Sequence, residues 1–253
     1  FVLRGATVWT AGPQGTLPNA DIFVRDGKIV AIGAGLKVPA GTAEINAKGK
    51  HISPGMIDCH SHTAIDGGVN EGSNIITAEC RIQDVIDADD VNIYRQLAGG
   101  TTAANVLHGS ANAIGGQNAV LKWRWGKSPE ELFLKGAPAG IKFALGENPK
   151  QSNFSFPGQV PRYPATRMGV EKVIREGFLK AKDYQRQWAE HRAGKRDAPA
   201  RDLQSEALVE IMEGKRYVHS HCYRQDEILM LMRLAEDFGF RIRTFQHLSL
   251  IHI

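Results

Sequence analysis

Beyond residue 54, short apolar segments alternate with amphipathic helical segments, and this alternation constrains the fold more than any other feature of the sequence. Six segments have the length and composition of strands: residues 57–62, 102–107, 119–123, 140–145, 216–221 and 241–247. Helical segments at 90–98, 170–188 and 225–238, and a capping box at 128–131, fall between them. The pattern predicts an α/β fold with a mainly parallel sheet.

Two parallel architectures fit this alternation, a closed barrel and an open doubly wound sheet. No glycine-rich phosphate loop follows the first strand, which argues against a nucleotide-binding open sheet. A complete (β/α)8 TIM barrel takes roughly 250 residues. We therefore predict an incomplete barrel over residues 54–253, with about six of the eight strands.

The first 53 residues read as short strands joined by turns, with Asp26-Gly27 as a hairpin signal between two apolar runs. We predict a separate small β domain at residues 1–53. The chain begins at Phe1 without a methionine and stops directly after an apolar run, so we expect a fragment of a longer protein.

Composition narrows the class of protein. The chain is 42% hydrophobic and 23% charged, carries a net charge of +4, and has no run of about 18 apolar residues that would span a membrane. The basic cluster at 186–201 lacks interleaved aromatic residues, so we interpret it as a solvated face and expect no nucleic-acid partner. The three cysteines of the chain lack CxxC spacing, which argues against a disulfide framework. The compartment, cytoplasmic or exported, and homo-oligomerisation stay open.

Histidines gather at the predicted strand ends, where barrel enzymes place their sites. His60 and His62 end the first strand, His219 and His221 end the fifth, and His247 ends the sixth. A His-x-His pair places both imidazoles on the same face of the strand, where they can bind a divalent metal.

Lys142 stands in the middle of the apolar fourth strand. If it points into the site, burial lowers its pKa, and the neutral amine can take up carbon dioxide to become a carboxylate-like carbamate. Alternatively it points outward under a helix. The sequence alone leaves both orientations open.

Together these features resemble the amidohydrolase superfamily. The resemblance lies in the segment PGMIDCHSH at 54–62, in GGTT at 99–102, in Lys142 and in the histidines of strands five and six. It is nearest to the imidazolonepropionase-related and prolidase-like branch, and the leading β segment resembles the N-terminal half of that family's flanking β-sandwich.

The resemblance implies a binuclear site for two divalent ions, expected to be zinc. His60 and His62 would hold one ion, a carbamylated Lys142 would bridge both, and His221 and His247 would hold the second. His219 is the fallback for His221, and Glu147 is an alternative bridging ligand. The family's catalytic Asp follows strand eight, beyond the last residue of this chain.

The implied activity is metal-dependent hydrolysis of a C–N bond in an amide, cyclic amide or peptide-like small molecule by a metal-activated hydroxide. Candidate substrate-binding residues are His108, Arg162, Tyr163 and Arg167. The last three belong to the segment 148–168, which reads as a lid over the site. Alternatively, His108 is a structural loop histidine, and the segment 148–168 is a structural loop held by salt bridges.

Two rival functions remain. A mononuclear purine- or pyrimidine-type deaminase of the same superfamily typically carries a Glu three residues after the strand-five His, where this chain has Arg224. The other rival is an inactive scaffold, to which the fragment alone would correspond because it lacks the strand-eight Asp.

Overall fold

A computed structural model describes residues 1–150 and 162–248. Residues 151–161 of the predicted lid and the last five residues lie outside the described ranges. The chain divides into two compact units, Phe1–Met56 and Ile57–Ile253.

The first unit is one five-stranded sheet. Its strands are β1 (Val2–Trp9), β2 (Thr16–Arg25), β3 (Lys28–Gly33), β4 (Glu44–Asn46) and β5 (His51–Ile52). β1, β2 and β3 form an antiparallel meander, and β4 and β5 pair with β1 in parallel. The predicted hairpin lies between β2 and β3, where Asp26 and Gly27 both take positive φ angles.

The second unit mixes strands and helices. Its strands are β6 (Met56–Ser61), β7 (Thr101–Val106), β8 (Ile114–Gln117), β9 (Ala119–Lys122), β10 (Ala139–Ala144), β11 (Arg216–His221) and β12 (Ile242–Gln246). Its helices are α1 (Val91–Ala98), α2 (Pro129–Leu132), α3 (Arg167–Arg192), α4 (Leu203–Met212) and α5 (Gln225–Phe238), with a 3-10 turn at Ile82–Val85. Among the described residues, no helix is both long and apolar enough to cross a membrane.

Seven strands form two sheets in the second unit, with orders β12-β11-β10-β8 and β6-β7-β9. The last three strands, β10 to β12, are parallel, as the β-α alternation predicts. The third predicted strand differs, because β9 runs antiparallel to β7 and its predecessor β8 runs antiparallel to β10. The described residues therefore form a mixed α/β fold without a closed barrel.

One face of β10 lies on the main hydrophobic core. Ile141 and Phe143 pack in a cluster with Ile174 and Phe178 of α3, and Phe178 stacks on Phe240 with ring centroids 4.6 Å apart. Because successive side chains of a strand alternate between faces, Lys142 projects from the opposite face. The helices therefore cover one face of this sheet and leave the polar face to the candidate site.

Candidate metal centre

Two imidazoles meet at the end of β6. The Nε2 atoms of His60 and His62 are 3.3 Å apart, and the ring planes are almost perpendicular at 89°. The Nδ1 atom of His62 lies 2.8 Å from the carbonyl oxygen of Leu107, which can only accept a hydrogen bond. His62 is thus protonated on Nδ1, and its Nε2 lone pair points toward His60.

His247 joins this pair to His221. The centroid of its ring is 4.6 Å from that of His60 and 4.7 Å from that of His221. A left-handed backbone conformation, with φ at 64°, holds His247 just after β12 ends. Four imidazoles from three strand ends therefore form one contiguous cluster.

Lys142 belongs to the same face as this cluster. In the parallel pairing of β10 with β11, Lys142 lies opposite His219 and Ala144 lies opposite His221. The Lys142 side chain is fully buried, and its Nζ atom has no hydrogen-bond partner in the described structure. The outward orientation under a helix, which the sequence left open, is not the one adopted.

Burial lowers the pKa values of the ionisable groups in this cluster. It lowers the pKa of Lys142 to about 8, the pKa of His60 to about 3 and the pKa of His221 to about 4. The charge of Lys142 further lowers the pKa of both histidines. Their imidazoles are neutral at pH 7, which is the form that binds a metal.

The fit of these residues to a metal rests on buried polar atoms. Both ring nitrogens of His221 are buried without a hydrogen-bond partner among residues 1–150 and 162–248, as is Nζ of Lys142. Such atoms are costly to bury unless a ligand satisfies them. Over the same residues, no three His, Cys, Asp or Glu side chains have donor atoms already arranged around one ion. A full ligand set therefore requires side-chain rotation within the cluster.

The alternative ligands are engaged elsewhere. Nδ1 of His219 lies 2.8 Å from the hydroxyl oxygen of Thr244, whereas the ring nitrogens of His221 have no such contact in the described chain. The exposed carboxylate of Glu147 forms ion pairs with Lys150 and Arg167. The Thr244 contact occupies only Nδ1 of His219, so its Nε2 can still bind a metal and both strand-five histidines stay candidate ligands. The ion pairs of Glu147 favour Lys142 over Glu147 as a candidate ligand.

His108 is a buried loop residue with both ring nitrogens occupied. Its Nε2 accepts a hydrogen bond from the backbone N–H of Glu71 at 2.8 Å, and Nδ1 donates to the carbonyl of Gly109 at 2.9 Å. Binding a substrate carbonyl would require breaking one of these bonds. The ring fixes the loop after β6 to the loop after β7.

Arg162, Tyr163 and Arg167, the predicted substrate-binding residues near the start of α3, differ in their contacts. Arg162 donates to the carbonyls of Gly72 and Ala111 at 2.5 and 2.6 Å, and so joins the same two loops that His108 joins. Arg167 forms ion pairs with Glu147 and Glu227. The Tyr163 side chain is exposed.

Sequence reasoning missed Gln246, which stands beside the cluster. It pairs with His221 across β11 and β12, and its Oε1 atom is buried with no hydrogen bond of regular geometry in the described structure. The strand period carries the signal, since Thr244 and Gln246 lie two residues apart on the face that bears the histidines.

Known proteins with similar sequences include enzymes that act on C–N bonds. No protein-family model matches the chain. It is 28% identical to the amidohydrolase tasK of Hapsidospora irregularis, over all of this chain and 30% of that protein. A shorter segment of 57 residues is 44% identical to the imidazolonepropionase of Klebsiella pneumoniae, and it covers 22% of this chain and 14% of that enzyme.

A solved structure extends the comparison to the fold. The crystal structure of an amidohydrolase from Thermotoga maritima superposes with a TM-score of 0.84 and 32% identity, over 95% of this chain and 63% of that one. The chain thus spans less than two thirds of that structure and 30% of the Hapsidospora irregularis protein. The relatives in sequence and in fold both support the amidohydrolase superfamily for this chain.

Proposed function

We propose that this chain carries the metal-binding part of a hydrolase that cleaves a C–N bond in an amide, a cyclic amide or a peptide-like small molecule. The observation that supports it best is that four imidazoles lie on the same face as Lys142, whose buried amine has no hydrogen-bond partner among the described residues. The fold supports it further, because in the whole protein we expect these strands to belong to a (β/α)8 barrel with its site at their carboxyl ends.

In this proposal His60 and His62 would hold one divalent ion, and His221 and His247 would hold a second. Neutral Lys142 would add carbon dioxide through its Nζ, forming an N–C bond and losing a proton, and the resulting carbamate carboxylate would supply a further metal ligand. Zinc is the ion we expect, because imidazole nitrogens and carboxylate oxygens are common zinc ligands.

Bound divalent ions would polarise the substrate carbonyl and lower the pKa of a water molecule toward about 7. The chain's own residues prepare that chemistry. Burial keeps the imidazoles of His60 and His221 neutral, and the carbonyl of Leu107 fixes the tautomer of His62. His108 and Arg162 hold the loops after β6 and β7 together beside the cluster.

Metal counting tests the proposal directly. We would measure metal per chain by elemental analysis after loading with zinc in bicarbonate buffer, for the wild type and for Lys142→Ala. About two ions per chain, with a sharp fall in the variant, are expected, while the exposed Lys182→Ala should bind as the wild type does. One ion, unchanged by Lys142→Ala, would favour the deaminase, and none would favour the scaffold.

Activity would be tested with a panel of amides on the longer protein to which we expect this chain to belong. Matches to proteins named dihydroorotase, imidazolonepropionase, allantoinase and deacetylase suggest cyclic ureides, imidazolones and N-acyl compounds as the first substrates. Release of the ring-opened acid or free amine, dependent on zinc and lost in Lys142→Ala, would support hydrolysis. Release of ammonia from a purine or pyrimidine would support the deaminase instead.

A further inference from the structure

The His221 imidazole is held in a different way from that of His62. Nδ1 of His62 lies 2.8 Å from the carbonyl oxygen of Leu107, whereas both ring nitrogens of His221 are buried without a hydrogen-bond partner among the described residues. The His221 ring instead meets two other rings edge-on. The ring centroid of Tyr223 is 4.6 Å away, with the planes at 77°, and that of His247 is 4.7 Å away. Ring packing therefore restrains His221 where a hydrogen bond restrains His62.

The Tyr223 ring lies against the backbone of Gly146, just after the end of β10. A Cβ built on Gly146 would stand 3.0 Å from Cδ2 and 3.1 Å from Cε2 of Tyr223, closer than the roughly 3.5–4.0 Å at which carbon atoms pack. Gly146 also has a φ angle of 79°, which a residue with a side chain adopts only with strain. The ring can therefore lie this close to the backbone because residue 146 is glycine.

Two hydrogen bonds fix the turn at Gly146 to segments on either side of Tyr223. The backbone N–H of Leu145 donates to the carbonyl oxygen of His221 at 2.9 Å. The backbone N–H of Gly146 donates to Oε1 of Glu227, a side chain in the first turn of α5 that is only 6% exposed, at 3.2 Å. The surface on which the Tyr223 ring lies is thus tied to the same chain segment that carries the ring.

We propose that Tyr223 is a positioning residue for His221: its ring, packed on Gly146, confines the imidazole to orientations that keep it beside His247. This inference rests on the proposed metal site, in which His221 and His247 would hold one ion. A ligand that is already oriented loses less rotational freedom when the ion binds, so the ring contact should strengthen metal binding. The Tyr223 hydroxyl lies apart from this contact and donates to Oδ1 of Asn148 at 3.4 Å.

The first test compares zinc affinity, by competition with a chelator, in the wild type, Tyr223→Ala and Tyr223→Phe. Alanine removes the ring, and we expect about 3- to 10-fold weaker binding, the range that one aromatic contact supports. Phenylalanine keeps the ring without the hydroxyl and should bind as the wild type does. Tyr94→Ala is the matched control, because Tyr94 is exposed like Tyr223 but packs edge-on against Trp125 instead of a histidine.

The second test moves the ring without changing it. Gly146→Ala should displace the Tyr223 ring and weaken zinc binding to a similar extent, whereas Gly214→Ala should not. Gly214 is matched to Gly146 because its φ angle is 71°, yet a Cβ there meets nothing within 4 Å, so only the strain of the backbone is shared. The double variant Gly146→Ala with Tyr223→Ala should bind zinc about as weakly as Tyr223→Ala alone, since no ring is left to displace.

The ring protons of His221 give a further readout, which a general loss of stability would not imitate. In the metal-free wild type, NMR should show these signals displaced by the neighbouring Tyr223 ring. Tyr223→Ala should move them toward the positions of an unpacked histidine, Tyr223→Phe should leave them in place, and the His62 signals should stay unchanged in both variants.

The outcomes separate this inference from the proposed function. Wild-type zinc affinity in Tyr223→Ala, an equal loss in Tyr223→Phe, or His221 signals that do not respond to Tyr223→Ala would overturn the positioning role while the metal site stands. A wild type that binds no zinc would overturn the proposed function, and the role of Tyr223 in metal binding would fall with it.

Discussion

Lys142 is the most costly side chain at the site, because its amine is fully buried and its Nζ has no partner in the described structure. Replacing such a group with an apolar side chain of similar length removes that cost. In metal-free, carbon dioxide-free solution, we expect Lys142→Met to raise the free energy of unfolding at pH 7 by about 1 kcal/mol. In the proposed site the same change would remove the bridging ligand, so stability and metal content should move in opposite directions.

The stabilising effect of Lys142→Met should depend on pH. Burial lowers the pKa of Lys142 from its ordinary value of 10.5 to about 8. Between these values the unfolded chain binds more protons than the folded one, so wild-type stability gains from rising pH across this window, and Lys142→Met lacks that gain. Urea unfolding at pH 7 and pH 10, with exposed Lys182→Met as the control, measures the difference. A destabilised Lys142→Met at pH 7 would show that the amine is engaged in the folded chain.

His221 and His219 give a second prediction at the scale of single residues. Because both ring nitrogens of His221 are buried without a described partner and a metal would satisfy one of them, we expect His221→Ala to lose about one zinc ion per chain. His219→Ala should keep the stoichiometry and weaken the affinity. Elemental analysis after dialysis measures the count; the reverse pattern would assign His219 as the strand-five ligand.

At the scale of elements, a pair of glycines in β8 supports the His108 contact. A Cβ on Gly116 would stand 2.9 Å from the carbonyl oxygen of Cys80 and 2.9 Å from Cδ2 of His108. The Cys80 carbonyl belongs to the backbone and cannot move away as easily as the end of a flexible side chain. We therefore expect Gly116→Ala to lower the free energy of unfolding by about 1–3 kcal/mol.

Gly72 is the matched control for this substitution. It lies in the loop that His108 and Arg162 fasten, and a Cβ there meets nothing within 4 Å. Gly72→Ala should be neutral, or stabilising by up to about 1 kcal/mol. Thermal unfolding of both variants checks the pair, and equal melting temperatures would show that β8 yields to the added methyl group.

How far the sequence predicts an element depends on whether its signals are local. Helix α5 was expected at 225–238 and lies at Gln225–Phe238, because an amphipathic period ends at Gly239, which takes the left-handed conformation. Helix α4 was missed, since its main local signal is the N-cap of Asp202 next to a basic stretch. β8 was missed because Gly115 and Gly116 have low strand propensity, and strand direction is set by pairing between distant segments.

The same distinction applies to the site. The alternation of side chains along a strand predicts which residues share a face, as for His219 and His221 or for Lys142 against Ile141. It does not predict what each imidazole contacts, because the partners of His108 and His60 come from segments far away in sequence. The amide of Gln246 is therefore visible only once β12 lies beside β11.

At the scale of the whole molecule, metal binding should stabilise one unit selectively. All five proposed ligands lie in Ile57–Ile253, so zinc binding to the folded state couples to the unfolding of that unit. At a free zinc concentration of about 100 times Kd, the gain in the free energy of unfolding is about 2.7 kcal/mol. His62→Ala should lose most of this gain, since it removes one of the two imidazoles whose Nε2 atoms lie 3.3 Å apart.

Tryptophan fluorescence separates the two units, because Trp9 lies in the first unit and Trp123, Trp125 and Trp188 lie in the second. We would follow urea unfolding with and without zinc in Trp9→Phe, which reports on the second unit alone. Zinc should shift its midpoint upward and a chelator should reverse the shift, whereas His62→Ala in the same background should hardly respond. An equal shift in both proteins would mean that zinc binds elsewhere, because the histidine cluster would then contribute nothing to the linkage between metal binding and folding.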